Sequence, residues 1–160
     1  MSGYSQTVTE LALDPRYAGD LSPCDAIGLT GTPGNGRFLK FTARLSDSRI
    51  TDIGFTTYGC GPCIAAGSMM AAMVLGQSLP DTAAIRRDDL LAALGGLPDD
   101  KLHCADMALA AWQDLLSSVP HLSPRERSER THSVWPFRVR EQAATDHPTT
   151  ATPTGPSTSV

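Results

Sequence analysis

The chain has 160 residues, of which 41% are hydrophobic, and its formal net charge at pH 7 is −4. This length and composition are typical of one globular domain with a buried core, and they exclude the strong basic excess of a nucleic-acid-binding domain. The N-terminus lacks the basic and apolar regions of a secretory signal, and no uncharged run is apolar enough to span a bilayer. We therefore expect a cytoplasmic protein with neither a nucleic-acid nor a membrane partner.

The composition changes near Pro120. Residues 120–160 contain six of the twelve prolines, and the last fifteen residues are dominated by Thr, Pro and Ser. Such a segment cannot bury enough apolar area to offset the entropy lost on ordering. We predict a folded domain over residues 1–119 and a disordered tail over residues 120–160.

The predicted elements before Tyr58 are one helix and one hairpin. Residues 7–13 form a short helix, and an irregular stretch containing Pro23 and Pro33 follows it. Residues 38–45 alternate in polarity, which predicts a half-buried strand. Its polar face carries Lys40, Thr42 and Arg44. A second strand over residues 49–57 completes an antiparallel hairpin.

Only helices are predicted after Tyr58. They cover residues 64–75, a short segment capped by Ser78, residues 89–94 capped by Asp88, and a long final helix. The apolar face of that last helix is formed by Ala105, Ala108, Leu109, Trp112, Leu115 and Leu116. Strands followed by helices predict an α+β fold in which helices pack on one face of a small antiparallel sheet.

The sequence Cys60-Gly61-Pro62-Cys63 places two thiols one helical turn apart, where a strand ends and a helix begins. This sequence matches the dithiol motif of thioredoxins, in which a helix N-terminus lowers the pKa of the first thiol. A thioredoxin-like fold also needs a strand after the motif helix, and only helices are predicted there. A dithiol redox protein is therefore the third alternative.

His103 and Cys104 lie at the start of the final helix. Together with Cys60 and Cys63 they offer three thiolates and one imidazole, a donor set that suits zinc or an iron–sulfur cluster. The competing interpretation is that Cys104 is a small buried apolar residue and His103 a surface residue. The residues alone leave both interpretations open.

Four segments in order carry a family resemblance. They are GTPGNGR at residues 31–37, TYGC at 57–60 followed by IAAGS at 64–68, GQSL at 76–79, and LHC at 102–104. From about residue 14 to 119 the chain resembles the NifU N-terminal/IscU/SufU-type iron–sulfur cluster scaffolds. The resemblance implies an α+β fold with a three-stranded sheet and a non-enzymatic scaffold or carrier. It also implies a transient [2Fe–2S] cluster or zinc, a cysteine desulfurase as sulfur donor, and recipient apo-proteins.

Two residues depart from the family pattern. Asn35 stands where the family has its first cysteine, and Arg37 stands where it has an aspartate. Asparagine is a poor ligand for soft metals and arginine cannot ligate them. The resemblance matches Cys60 and Cys104 to the other two family cysteines and His103 to the neighbouring histidine.

We hypothesise that Cys63 replaces the missing loop thiol. It follows Cys60 by three residues, so both thiols lie on the same helical face. The predicted metal ligands are Cys60, Cys63, His103 and Cys104, with Asn35 and Arg37 lining the site. The alternative is a zinc-binding or metal-free regulatory protein on the same fold. Cys24 is expected to be a lone thiol.

Overall fold

The computed structural model describes residues 3–119 and the backbone of a short strand at residues 139–141. The remainder of the predicted tail lies outside the described residues. In chain order the elements are α1 (Gln6–Leu13), β1 (Asp20–Ser22), β2 (Ala26–Gly31), β3 (Phe38–Ser46), β4 (Arg49–Tyr58), α2 (Gly61–Val74), α3 (Leu79–Ala83), α4 (Arg87–Leu94), a single 3-10 turn (Asp99–Lys101), α5 (Leu102–Ser118) and β5 (Val139–Glu141).

The main sheet has three antiparallel strands in the order β2–β3–β4. Phe38 is opposite Gly31 on β2 and opposite Tyr58 on β4. The loop between β2 and β3 therefore lies at the same end of the sheet as the last residue of β4. That end is where the candidate site is built. The predicted α+β fold is confirmed.

One face of the sheet is covered by α2 and α5, which also pack against each other. Phe41 is at the centre of this layer, and its ring centroid lies 5.7 Å from that of Trp112 and 6.3 Å from that of Phe55. The predicted inward residues of β4, Ile53 and Phe55, are both buried. Edge-on aromatic packing of this kind is favourable beyond the apolar area that it buries.

The prediction that β3 is only half-buried is wrong for residues 38–43, because β1 covers the second face of the sheet. Lys40 and Thr42 are buried there. The Asp20 carboxylate forms an ion pair with Lys40 and accepts a hydrogen bond of 2.7 Å from the Thr56 hydroxyl. The backbone N–H of Leu21 donates to the Thr42 hydroxyl at 2.9 Å. Buried polar side chains that have hydrogen-bond or ion-pair partners give the same alternation of polar and apolar residues along a strand as solvent-exposed ones. The sequence of β3 therefore does not distinguish the two cases.

The stretch predicted to be irregular contains β1 and β2. That stretch contains Pro23 and Pro33, which lie on either side of β2. Strand β2 also contains Gly28, a residue that is unfavourable in a strand interior. In the structure Gly28 allows α5 to approach the sheet. A Cβ at this position would lie 2.1 Å from the carbonyl oxygen of Ala111 and 2.4 Å from the amide nitrogen of Leu115.

The structure confirms one of the two predicted helix caps, corrects the other, and adds a strand that was not predicted. The Ser78 hydroxyl accepts from the N–H of Asp81 at 3.2 Å, as the predicted cap requires. Asp88, predicted to cap α4, lies inside its first turn, and the Asp89 carboxylate instead accepts from the N–H of Arg86 at 2.8 Å. A strand also follows Cys63: β5 pairs in parallel with β1. Within the described part of the chain, no helix has the length and apolarity needed to cross a membrane.

Replacing Gly28 with alanine should destabilise the fold, because the added methyl group would clash with the backbone of α5. We expect the free energy of unfolding to fall by about 3 kcal/mol in urea titrations, the upper end of ordinary overpacking. Gly34→Ala is the comparison, since nothing lies within 4 Å of its Cβ position and only its positive φ of 83° opposes a side chain. That cost is about 1 kcal/mol. Equal losses in both variants would contradict close seating of α5 on β2.

Candidate metal centre

Two helix N-termini bring three thiols to one point. Cys60 is the N-cap residue of α2, and Cys63 is the third residue of that helix. Cys104 is the third residue of α5. Because Cα–Cβ bonds tilt toward the start of a helix, the side chains of third residues point back to the helix N-terminus. The Cys60 side chain makes no capping hydrogen bond, which leaves its sulfur available to a metal.

The three sulfur atoms form a compact triangle. The Sγ–Sγ distances are 3.7 Å for Cys60–Cys63, 3.7 Å for Cys60–Cys104 and 2.9 Å for Cys63–Cys104. Thiolates bound to one tetrahedral zinc at about 2.3 Å are separated by about 3.8 Å. Two edges of the triangle match this value, and the third would have to open by roughly 1 Å. The triad, defined as Cys60, Cys63 and Cys104, therefore fits a single metal ion with little rearrangement.

The protons of the triad are coupled. The pKa of Cys63 is lowered to about 6, chiefly by its hydrogen bond with Cys104, which favours the Cys63 thiolate, although burial opposes this shift. The same hydrogen bond raises the pKa of Cys104 above its ordinary value, since Cys104 must keep its proton while Cys63 is anionic. Without a cation the triad holds one thiolate readily and resists forming a second. A bound metal ion supplies the missing positive charge.

Gly59 leaves room for the Cys63 side chain. A Cβ at Gly59 would lie 3.0 Å from the Cβ of Cys63 and 3.1 Å from its sulfur. Any larger residue before Cys60 would press on the thiol that completes the triad. The sequence shows that the position lacks the aromatic residue of thioredoxins but does not reveal this steric role.

His103 and Arg37 lie beside the triad. Nε2 of His103 is 3.5 Å from Sγ of Cys104, and it accepts a hydrogen bond of 2.7 Å from the Arg37 guanidinium. A guanidinium only donates, so Nε2 is the acceptor in this contact, and the matching tautomer has its proton on Nδ1. That proton is donated to the carbonyl oxygen of Asp100 at 3.1 Å. Among residues 3–119, the group of donor atoms that all lie within 4.8 Å of one another contains the three cysteines and not His103.

The other predicted residues lie outside the triad. Asn35 is exposed in the loop between β2 and β3, where its N–H donates to the carbonyl oxygen of Thr32 at 3.0 Å. Cys24 is buried in a separate apolar cluster with Leu21, and its pKa is raised to about 12, mainly by burial. The sequence placed Arg37 and His103, 66 residues apart, at the same site, but it did not predict the hydrogen bond between them.

Residues 3–121 match the family model described as NifU-like N terminal domain. The chain belongs to this family. It is 37% identical over 108 residues to "Iron-sulfur cluster assembly scaffold protein IscU 1" of Archaeoglobus fulgidus, covering 68% of this chain and 71% of that protein. The IscU scaffold protein of Escherichia coli is 35% identical over 109 residues, covering 66% of this chain and 84% of that protein.

Solved structures of this kind share the fold of the chain. A nitrogen-fixing NifU-like protein (N-terminal) from Brucella abortus superimposes with a TM-score of 0.61 at 17% identity, covering 74% of this chain and 95% of that one. The predicted resemblance to the NifU N-terminal and IscU scaffolds is therefore confirmed.

Native alkylation should distinguish the four free cysteines. We expect iodoacetamide to label Cys60 first, because it is partly exposed while Cys24, Cys63 and Cys104 are buried. Cys24 should react last, since raising its pKa from 9.0 to about 12 lowers its thiolate fraction, on the order of a thousandfold. Fragment-ion mass spectrometry of the metal-free protein measures each rate. All four should react at similar rates in urea, and native labelling of Cys104 as fast as Cys60 would contradict the buried triad.

Proposed function

We propose that this protein is a non-enzymatic scaffold that assembles or carries a labile iron–sulfur cluster on Cys60, Cys63 and Cys104. One observation carries the proposal: three sulfurs converge at two helix N-termini in a NifU-like N-terminal domain. The relatives named as iron–sulfur cluster assembly scaffolds support it. Iron and sulfide are the cargo of such a protein rather than its permanent cofactor.

The donor set suits a cluster that is bound and then released. Thiolates are the ligands that iron–sulfur clusters prefer, and a [2Fe–2S] cluster has four terminal ligands. Three protein thiols leave one position for another ligand. Cys60 is partly exposed at the edge of the triad, which gives a partner protein access to a ligand of the cluster. An incomplete and accessible ligand set favours transfer over permanent storage.

The position of Cys63 supports its assignment as the replacement for the missing loop cysteine. Its sulfur contacts those of both Cys60 and Cys104, whereas Asn35 is exposed in the loop between β2 and β3. By the same proposal a cysteine desulfurase supplies sulfur and apo-proteins receive the cluster. The Cys63 thiol lies closer to Cys104 than to Cys60, so the contacts do not favour an isolated Cys60–Cys63 redox pair.

Zinc binding is the second candidate, and the sulfur distances favour it specifically. The two separations of 3.7 Å match ligands of a single ion, and the third, 2.9 Å, would have to open by roughly 1 Å to match. A two-iron cluster divides its terminal ligands between two metals, so at least one thiol would have to move outward to bind it. A regulatory protein that holds zinc on this fold is therefore the alternative to a cluster scaffold.

Anaerobic reconstitution with ferrous iron and sulfide tests the proposal. The wild-type protein should develop the visible absorbance of a cluster, and Cys63→Ser should lose it as fully as Cys60→Ser because each removes a thiolate ligand. Cys24→Ser is the matched control and should retain the absorbance, since Cys24 lies in a separate buried cluster.

Other outcomes would assign the function differently. A Cys63→Ser variant that is indistinguishable from the wild type would refute the replacement of the loop cysteine by Cys63. Stoichiometric zinc in the isolated protein, combined with failure to form a cluster, would favour the zinc-binding alternative. Reduction of insulin in a thioredoxin reductase assay would favour the dithiol redox alternative.

A further inference from the structure

The hydrogen bonds of His103 leave neither ring nitrogen free for a metal. Nε2 has a single lone pair, which the Arg37 guanidinium occupies at 2.7 Å. Nδ1 carries the proton that is donated to the carbonyl oxygen of Asp100 at 3.1 Å. The two contacts hold opposite sides of the ring, so they fix both its tautomer and its orientation.

We infer that Arg37 holds His103 out of the metal's coordination sphere, so that three thiolates bind the ion and an exchangeable ligand from solution takes its fourth position. This inference rests on the proposed metal-binding role of the triad and deepens it. It assigns Arg37 as a positioning residue and removes His103 from the set of ligands that the sequence predicted.

The distances support this arrangement. In a tetrahedral site with sulfur at about 2.3 Å and nitrogen at about 2.0 Å from zinc, the nitrogen lies about 3.5 Å from every sulfur. Nε2 of His103 has this separation from Cys104, at 3.5 Å. It does not join the group of donor atoms that all lie within 4.8 Å of one another. The ring would have to move toward Cys60 and Cys63, and it would have to break the hydrogen bond to Arg37.

Charge also favours the arrangement. A divalent ion bound to three thiolates carries a net charge of −1, and a guanidinium beside it offsets that charge. If His103 moved onto the metal, Arg37 would lose the acceptor that it has in the structure. Arg37 is exposed in the loop between β2 and β3, so its side chain can be replaced without opening the core.

X-ray absorption at the zinc edge tests the inference. The wild type and His103→Ala should show the same spectrum, with sulfur and one light ligand and without the outer-shell scattering of an imidazole. Arg37→Met should gain imidazole scattering, because Nε2 of His103 is then free to bind the metal. Methionine is chosen because it is a long side chain without hydrogen-bond donors. The double variant Arg37→Met/His103→Ala should lose that scattering again.

Zinc affinity gives a second readout. Competition with a chromophoric chelator should show roughly tenfold tighter binding by Arg37→Met than by the wild type. The gain of the His103 ligand then outweighs the loss of the guanidinium charge beside the site. The charge-matched control is Arg49→Met. Arg49 pairs with Ser46 at the far end of the β3–β4 hairpin, away from the Phe38–Tyr58 pair beside the site. Its affinity should equal that of the wild type.

The outcomes separate the inference from the proposed function. Imidazole scattering in zinc-loaded wild type that disappears in His103→Ala would overturn the inference alone. Arg37→Met without imidazole scattering would also overturn it, because Arg37 would then not be what withholds the ring. A wild-type protein that binds neither zinc nor a cluster would overturn both.

Discussion

The packing of α2 and α5 against the same sheet face is the constraint on which the site depends. Each helix contributes thiols at its first turn, and the two N-termini meet only because both helices are seated on β3 and its neighbours. Gly28 makes the seating of α5 possible by removing the side chain that would hold it away. Because the backbone fixes both helix starts, the triad is positioned before any metal binds.

Electrostatics then define what the triad can hold. Two helix N-termini, each with a partial positive charge, favour thiolate at this point, and neither first turn contains an acidic side chain that would oppose it. Mutual contact between Cys63 and Cys104 nevertheless disfavours a second anion. A bound cation would offset the charge of that second anion. The guanidinium of Arg37 supplies positive charge at its edge, where the family pattern has a carboxylate.

Local patterns in the sequence predicted the elements that bury one face. They failed where a residue type has an environment in the structure that is unusual for it. The hairpin of β3 and β4 and the final helix followed from alternation and helical periodicity. Strand β2 was missed because it lies in a stretch that was predicted to be irregular and that contains Pro23 and Pro33. Its Gly28 serves the close packing of α5. Lys40 was placed on a solvent face because the sequence does not show that Asp20 covers and pairs with it.

The sequence also indicated some residues of the candidate site and not the contacts between them. The resemblance indicated Cys60 and Cys104, and the three-residue spacing indicated Cys63. The contact of Arg37 with His103 joins the loop between β2 and β3 to the first turn of α5, and no local pattern in the sequence relates these two segments.

The most direct test of the account is a crystal structure of the zinc-loaded protein with anomalous data at the metal edge. We expect one metal peak about 2.3 Å from the sulfurs of Cys60, Cys63 and Cys104. The Asn35 side chain should remain outside the coordination sphere. A metal bound by Cys60 and Cys104 with the Cys63 sulfur turned away from it would contradict the replacement on which the account rests.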